Sequence, residues 1–319
     1  MSDQHKHLAE QIAGAFQQGK QLRITGHNSK SFLCHENEGE EFSTLEHSGI
    51  ISYEPSELVV TVRSGTDIKE LQSILAEQQQ TLAFDPPCFD GQGTIGGAIA
   101  TGLSGPSRPW VGSARDFVLG TRIINGKGEV LMFGGQVMKN VAGYDVSRLM
   151  AGAYGTLGLI LDISIKVLPL PEQTATIALE KSAEQSIEHI NRLSGQSLPL
   201  TGACWMNNTL YIRIAGTEAG IQAACSRIGG EVHEDEQFWN SLRDHQLDFF
   251  DVDYWRIALS PATRMLAVEG QWLLEWGGAQ RWLHSDAPPE NIVQAADQAG
   301  GCAQRWKHLD PLHLRPQLD

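Results

Sequence analysis

The sequence predicts an α+β protein in two parts, residues 1–170 and 171–319. Three observations carry this. Two glycine clusters, Thr94–Gly102 and Gly152–Gly158, lie in the first part. The second cluster runs straight into an apolar strand, Leu159–Leu168. Glycines let a backbone pass close to a flat or bulky group, and the strand holds that approach in place. After Pro169-Leu170-Pro171, which breaks the chain, the pattern of strands and helices restarts.

Within the first part, Leu8, Ile12, Ala15 and Phe16 recur at helical spacing, so residues 4–18 read as an amphipathic helix ended by Gly19. Residues 22–24 form a short strand, and Thr25-Gly26-His27-Asn28-Ser29-Lys30 a loop. Residues 57–62 read as a strand. Thr66 is placed to cap a helix over 67–79, with Asp67 in its first turn and Leu71, Ile74 and Leu75 on its buried face. Thr94 is an N-cap for a short helix of small residues, 95–101. Strands 117–124 and 129–133 are joined by Asn125-Gly126-Lys127-Gly128, a hairpin signal. A helix over 144–150 precedes the second glycine turn. Beyond residue 171 the order is strand 174–180, helix 183–193, strands 203–206 and 209–214, helix 217–228 and strand 230–233. That is βαββαβ, a ferredoxin-like unit. Tryptophan-rich strands and a helix near 289–299 follow.

Composition narrows the function. A chain of 319 residues buries a sizeable core. Its net charge of −14 argues against nucleic-acid or anionic-membrane binding, because phosphate backbones need a basic surface. A bound polyanion would then be held by backbone donors. Cys34, Cys88, Cys204, Cys225 and Cys302 are dispersed with no CxxC, so neither an iron–sulfur cluster nor a zinc site is expected on this chain. That pattern fits reduced thiols in the cytoplasm. No apolar leader and no long apolar run is seen, so membrane association is expected only through partners.

Gly91-Gln92-Gly93-Thr94-Ile95-Gly96 matches GxGxxG, with Asp116 about 20 residues on, the spacing of a dinucleotide fingerprint. Context argues against it: Asp85-Pro86-Pro87-Cys88-Phe89-Asp90 separates the glycines from any strand. Thr94–Gly97 reads instead as a helix N-terminus whose free N–H groups hold an anion, or as a tight helix-packing turn. Both readings stay open at this level.

Residues 94–130, TIGGAIATGLSGPSRPWVGSARDFVLGTRIINGKGEV, resemble the flavin-binding domain of the vanillyl-alcohol oxidase / p-cresol methylhydroxylase (PCMH-type) superfamily. Lys139–Leu149 and the AGAYGTLGLI turn are similar to its second half, and the KNVAGYDVSRLMAG wording is closest to the smaller FAD-binding subunits of bacterial glycolate oxidases. The resemblance covers residues 1–170 well and the remainder weakly. It implies a two-part PCMH-type FAD-binding domain at 1–170 and a reduced ferredoxin-like α+β cap at 171–319. Carried over, Thr94, Ile95, Gly96, Gly97, Thr101, Gly102 and Ser104 line the pyrophosphate and flavin. Gly152, Gly155, Thr156, Gly158 and Ile160 line the adenosine side.

The first phosphate loop departs from the family's Arg-Gly-x-Gly-Thr pattern. Here Gly26, His27, Asn28 and Ser29 stand in it. His27 is either a covalent flavin attachment point, as in some superfamily members, or an ordinary loop histidine. Tyr154 replaces the family's glutamate. Arg108 and Arg115 are read as anion ligands or as structural partners of Asp116 or a neighbour. Most of the tryptophans at 205, 239, 255, 272, 276, 282 and 306 are expected in the core, and some on a dry partner surface. The histidine cluster of catalytic relatives is missing, and His308 and His313 stand at poor spacing for one metal. No metal and no catalytic residue is assigned. The family's C-terminal Asn-Pro-Gly-Arg segment is not seen.

The resemblance implies an FAD-dependent oxidoreductase subunit that acts on a small 2-hydroxy acid, glycolate to glyoxylate. Its implied partners are a larger catalytic flavoprotein subunit and an iron–sulfur subunit. Two further readings stand beside it: a free-standing FAD-dependent 2-hydroxy-acid dehydrogenase, and a flavin-free scaffold subunit. The expected location is cytoplasmic, peripheral to the inner membrane through the complex.

Overall fold

The structure, a computed structural model, describes residues 3–33, 39–135, 144–235 and 237–306. It divides into two compact units, Met1–Gly105 with Gly112–Leu170, and Pro106–Val111 with Pro171–Asp319.

In the first unit the order is α1 (His5–Gln17), β1 (Leu22–Thr25), β2 (Glu40–Ser43), β3 (Ile50–Glu54), β4 (Val59–Arg63), α2 (Ile68–Glu77), β5 (Gln80–Thr81) and α3 (Ile95–Thr101). After α4 (Arg108–Val111), which belongs to the second unit, come α5 (Ala114–Phe117), β6 (Val118–Ile124), β7 (Val130–Gly134), α6 (Val146–Leu149), β8 (Leu159–Lys166) and β9 (Leu168–Pro169). Leu8, Ile12 and Ala15 form the buried stripe of α1, and Leu8 and Ile12 pack with Phe42, Ile124, Leu159 and Leu161. The main sheet has the order β3-β4-β8-β6-β7, antiparallel throughout. Its central strand β8 is apolar except at Asp162, Ser164 and the terminal Lys166. The buried Asp162 carboxylate is answered by Arg122 Nε at 2.5 Å and His47 Nε2 at 3.0 Å.

One local expectation is corrected. The N-cap of α2 is Asp67, whose carboxylate accepts from the N–H groups of Lys69 and Glu70. The Thr66 hydroxyl instead accepts from Gly49 N–H at 2.9 Å. The hairpin after β6 forms as expected, with Gly128 (φ 85°) as its left-handed residue. Strands β2 and β3 escaped the sequence reading because β2 buries only Phe42 and β3 is a half-exposed edge, so neither shows alternation.

The second unit holds β10 (Gln173–Glu180), α7 (Ala183–Ser194), β11 (Leu200–Met206), β12 (Thr209–Gly216), α8 (Glu218–Ile228), β13 (Glu231–Val232) and α9 (Phe238–Arg243). It continues with β14 (Tyr254–Ala258), β15 (Gln271–Glu275), β16 (Gln280–His284), α10 (Pro289–Gln298) and β17 (Cys302–Trp306). One sheet takes all eight strands in the order β13-β10-β12-β11-β15-β16-β14-β17. The first four, numbered along the chain, read 4-1-3-2, the ferredoxin-like order. The last four read 2-3-1-4, the same order reversed. Two ferredoxin-like halves therefore join edge to edge where β11 pairs with β15, Cys204 opposite Glu275. The second half lacks the first helix of the motif, and the segment between β14 and β15 takes its place. The fully buried Arg281 fastens that segment by donating to the carbonyls of Thr263 and Arg264, and donates also to Gly278 O between β15 and β16.

The tryptophans explain the packing of the second unit. Trp239, Trp255, Trp276, Trp282 and Trp306 are buried, and Trp205 and Trp272 half-buried. Most of the tryptophans thus lie in the core as expected, and Trp205 and Trp272 stay partly accessible. Beneath them Glu275 is buried, accepting from Trp282 Nε1 at 2.6 Å and from Gln280 Nε2 at 3.1 Å. Burial raises its pKa above the ordinary carboxylate value, against the lowering effect of these two donors and of Arg256. The folded chain thus keeps this proton to higher pH than the unfolded chain, so stability is lost as pH rises through the ordinary carboxylate range toward the folded value. Glu275→Gln keeps an acceptor for Trp282 and has nothing to ionise. Its melting temperature should fall less than that of the wild type between pH 5 and 8, whereas parallel curves would contradict this account.

Candidate cofactor cleft

The first glycine cluster, the second, and the loop after β1 meet in the first unit. Gly26 lets the loop lie directly on α3, since a Cβ there would stand 2.6 Å from Thr94 Oγ1. Gly96 lets α3 lie on the end of β4, since a Cβ there would stand 2.6 Å from Ser64 Cβ and 2.8 Å from Ser64 O. At its other end α3 meets the second turn: Gly152 N–H donates to Ile99 O and Tyr154 N–H to Ala100 O. Tyr154 itself takes a left-handed conformation (φ 52°) and is half-exposed.

These elements line a cleft. Of the residues read from sequence, Gly26, His27, Asn28, Ser29, Thr94, Gly96, Gly97, Thr101, Gly155, Gly158 and Ile160 line it. Ile95 does not; it is fully buried in the core. Ser104 is buried and accepts from Ala114 N–H. Gly102 caps the C-terminus of α3, close against the backbone of Gly152. Thr156 lines an adjoining apolar groove with Phe16, Ile24 and Leu157.

The sequence reading passed over Ile24, Thr25, Lys30, Ser31, Thr44, Ser64, Ala100, Tyr154 and Leu159 as wall residues. A signal existed for Ser64: Ser64-Gly65-Thr66 joins a strand to a helix, the place where short hydroxyl residues meet ligands. Thr44 carried none, because its strand was not recognised.

The expected free N–H groups of α3 are not there. Ile95 N–H donates to Thr66 O at 2.9 Å, Gly96 to Ser64 O at 2.8 Å, Gly97 to Thr94 Oγ1 at 3.1 Å and Ala98 to Thr94 O at 3.0 Å. This end of the helix is spent on holding the fold. The open donors lie in the loop instead. Among the described residues, no acceptor meets the N–H groups of Gly26, His27, Asn28 or Ser29. Asn28 is left-handed (φ 59°), and successive N–H groups around a left-handed residue form an anion-binding nest.

The remaining candidates separate clearly. His27 Nε2 lies 3.4 Å from Asp67 Oδ2. Arg108 stacks over Trp276, 4.5 Å from the ring centroid, within the second unit. Arg115 is exposed, and the Asp116 carboxylate accepts from Ser113 N–H and Oγ. Among the described residues no group of three His, Cys, Asp or Glu could hold a metal. Cys34, Lys139–Gly143, His308 and His313 lie outside the described residues.

The cleft wall combines a nest of open N–H groups, close backbone approaches at Gly26 and Gly96, and apolar surface from Ile24, Ala100, Leu159 and Ile160. A polar end for a diphosphate and an apolar end for an aromatic ring fit such a cofactor.

Residues 3–134 match the family described as FAD binding domain. The chain is 44% identical to glycolate oxidase subunit GlcE of Escherichia coli (strain K12), over 97% of this chain and 88% of that protein. It is 30% identical to glycolate oxidase subunit GlcD of Bacillus subtilis (strain 168), over 48% of this chain and 33% of that one. Among solved structures, an alkyldihydroxyacetonephosphate synthase superposes with a TM-score of 0.67 at 14% identity, covering 94% of this chain and 71% of that one.

Gly96→Ala tests the packing. In an ordinary helix the change gains up to about 1 kcal/mol. Here the new methyl meets Ser64 Cβ and Ser64 O just beyond β4, so a net loss of about 1–2 kcal/mol is expected, read as a lower melting temperature. A melting temperature equal to or above the wild type would contradict the close approach.

Proposed function

The chain belongs to the family of the glycolate oxidase subunit GlcE, and on that footing we propose that it is the FAD-binding subunit of an oxidase complex acting on glycolate or a closely similar 2-hydroxy acid. The observation that carries the reading is the cleft, where an open N–H nest lies beside an apolar wall in the part of the chain that matches the FAD binding domain. We assign the FAD-binding role to the first unit and the role of a reduced cap to the second.

Bound FAD supplies a two-electron acceptor for the conversion of the 2-hydroxy acid to its oxo acid. The chain's own residues do the binding. The N–H groups of residues 26–29 would hold the diphosphate, and Gly155, Gly158 and Ile160 would line the adenosine side. The acid–base work on the hydroxyl has no evident owner in this cleft. Its titratable side chains are His27, held toward Asp67, Lys30 and Tyr154. Proton removal is therefore assigned to a larger catalytic flavoprotein partner, with an iron–sulfur subunit as the onward electron carrier. No helix among the described residues is long and apolar enough to cross a membrane. The reading places the chain in the cytoplasm, reaching the inner membrane only through its partners.

The test is a visible spectrum of the purified, FAD-loaded chain after glycolate is added, alone and with the co-expressed partner subunits. Flavin bands should persist with the chain alone and bleach with the partners. Bleaching of the chain alone would instead make it a free-standing dehydrogenase. A chain that takes up no FAD would be a scaffold subunit.

A further inference from the structure

The two edge strands of the main sheet, β3 and β7, differ in how they meet solvent. β3 carries a bulge between Ile50 and Ser52, ends on Glu54 and runs into Pro55. Bulges, charges and prolines keep a foreign strand off a sheet edge. β7, with the sequence Val-Leu-Met-Phe-Gly, has none of these. It pairs with β6 in unbroken register and leaves Val130, Leu131 and above all Met132, at 75%, exposed.

The register shows which main-chain groups face outward. Asn125 N–H donates to Glu129 O at one end of the β6–β7 pair, and Gly135 N–H to Leu119 O at the other. Bonded and non-bonded pairs alternate along an antiparallel ladder. The bonded pairs between those ends are therefore Ile123 with Leu131 and Thr121 with Phe133. The N–H and C=O groups of Val130 and Met132 point away from β6, toward the edge, where a further strand can meet them.

Charge favours a second copy of this chain as that strand. Two chains of net charge −14 repel one another at a distance, so a self-association surface must not carry that excess. Around β7 the signs balance. Lys6 and Glu10 of α1 line a groove with Arg122 and β7, Asp3 lies 3.6 Å from Arg122, and Lys127 and Glu129 stand in the hairpin. A copy running antiparallel about Met132 sets Met132 opposite Met132, Leu131 opposite Phe133 and Val130 opposite Gly134. These cross-strand pairs bring no like charges together. A sheet continued in this way keeps both α1 helices on one face, and the twofold axis presents Lys6 and Glu10 of the second helix in reverse order.

We propose that β7 is a dimerisation edge, where two copies of this chain join their five-stranded sheets into one continuous antiparallel sheet. The inference is independent of the FAD reading, because β7 lines no part of the cofactor cleft.

The test is the mass of the purified full chain in solution, measured by sedimentation across a concentration series. The wild type should sediment as two chains. Met132→Lys and Met132→Glu each set like charges against one another at the twofold axis, so each alone should associate at least tenfold more weakly and sediment as one chain. An equimolar mixture of the two variants sets Lys against Glu and should recover the dimer. Both substitutions fall on an exposed side chain, so melting temperature and FAD uptake should stay at the wild-type values. A monomeric wild type would overturn the proposal, as would dimers that persist in both variants or a mixture that stays monomeric. A wild type that is monomeric alone, and whose binding to co-expressed partner subunits is lost in Met132→Lys, would overturn it too and give the edge to a partner subunit.

Discussion

The close approach of α3 to the end of β4 governs the rest of the first unit. Gly96 permits it, and Gly96 N–H and Ile95 N–H seal it by donating to Ser64 O and Thr66 O. Once those groups are spent, the start of α3 is a structural joint and not an anion site. The helix still sets the geometry: Thr94 supports Gly26 on one side, and the carbonyls of Ile99 and Ala100 receive the second glycine turn on the other. The cleft is the space these three contacts leave. Its chemistry falls to what the joint does not consume, the N–H groups of residues 26–29 and the side chains around them.

The second unit is built on a different constraint. Two ferredoxin-like halves share one sheet, so the seam between β11 and β15 lies in the middle of it and buries Cys204 beside Glu275. A carboxyl group at such a place is tolerable because Trp282 and Gln280 donate to it and because burial favours its neutral form. Burial likewise pushes the Cys204 thiol up, with Glu275 adding to the effect. The second half has lost a helix, and Arg281 substitutes for that helix's packing with hydrogen bonds to main-chain carbonyls. Trp276, left-handed at φ 52°, is turned so that Arg108 and Arg256 both stack near its ring.

Much of this was legible in the residues. The helical stripe of α1, the apolar run of β8 and the βαββαβ order of the second part follow from periodicity, which is strong where an element is long and buries one face. The two glycine motifs announced a close backbone approach, and they do pack on one another. What the approach served was not legible. Whether a helix N-terminus is open depends on acceptors from distant strands, here Ser64 and Thr66, and no local pattern encodes that. Lys30 was visible as a loop residue, but its burial comes from Phe89 and the strand order. The doubled sheet was hidden because its second half lacks one helix, so no repeat of the pattern shows in the chain.

The central claim, that the loop after β1 and not the start of α3 receives the cofactor, is tested most directly by amide hydrogen exchange on the chain with and without FAD. Open N–H groups exchange readily and bonded ones slowly. The account predicts fast exchange at residues 26–29 in the free chain and strong protection there on binding FAD, with little change at 95–98. Protection appearing at 95–98 with none at 26–29 would contradict it.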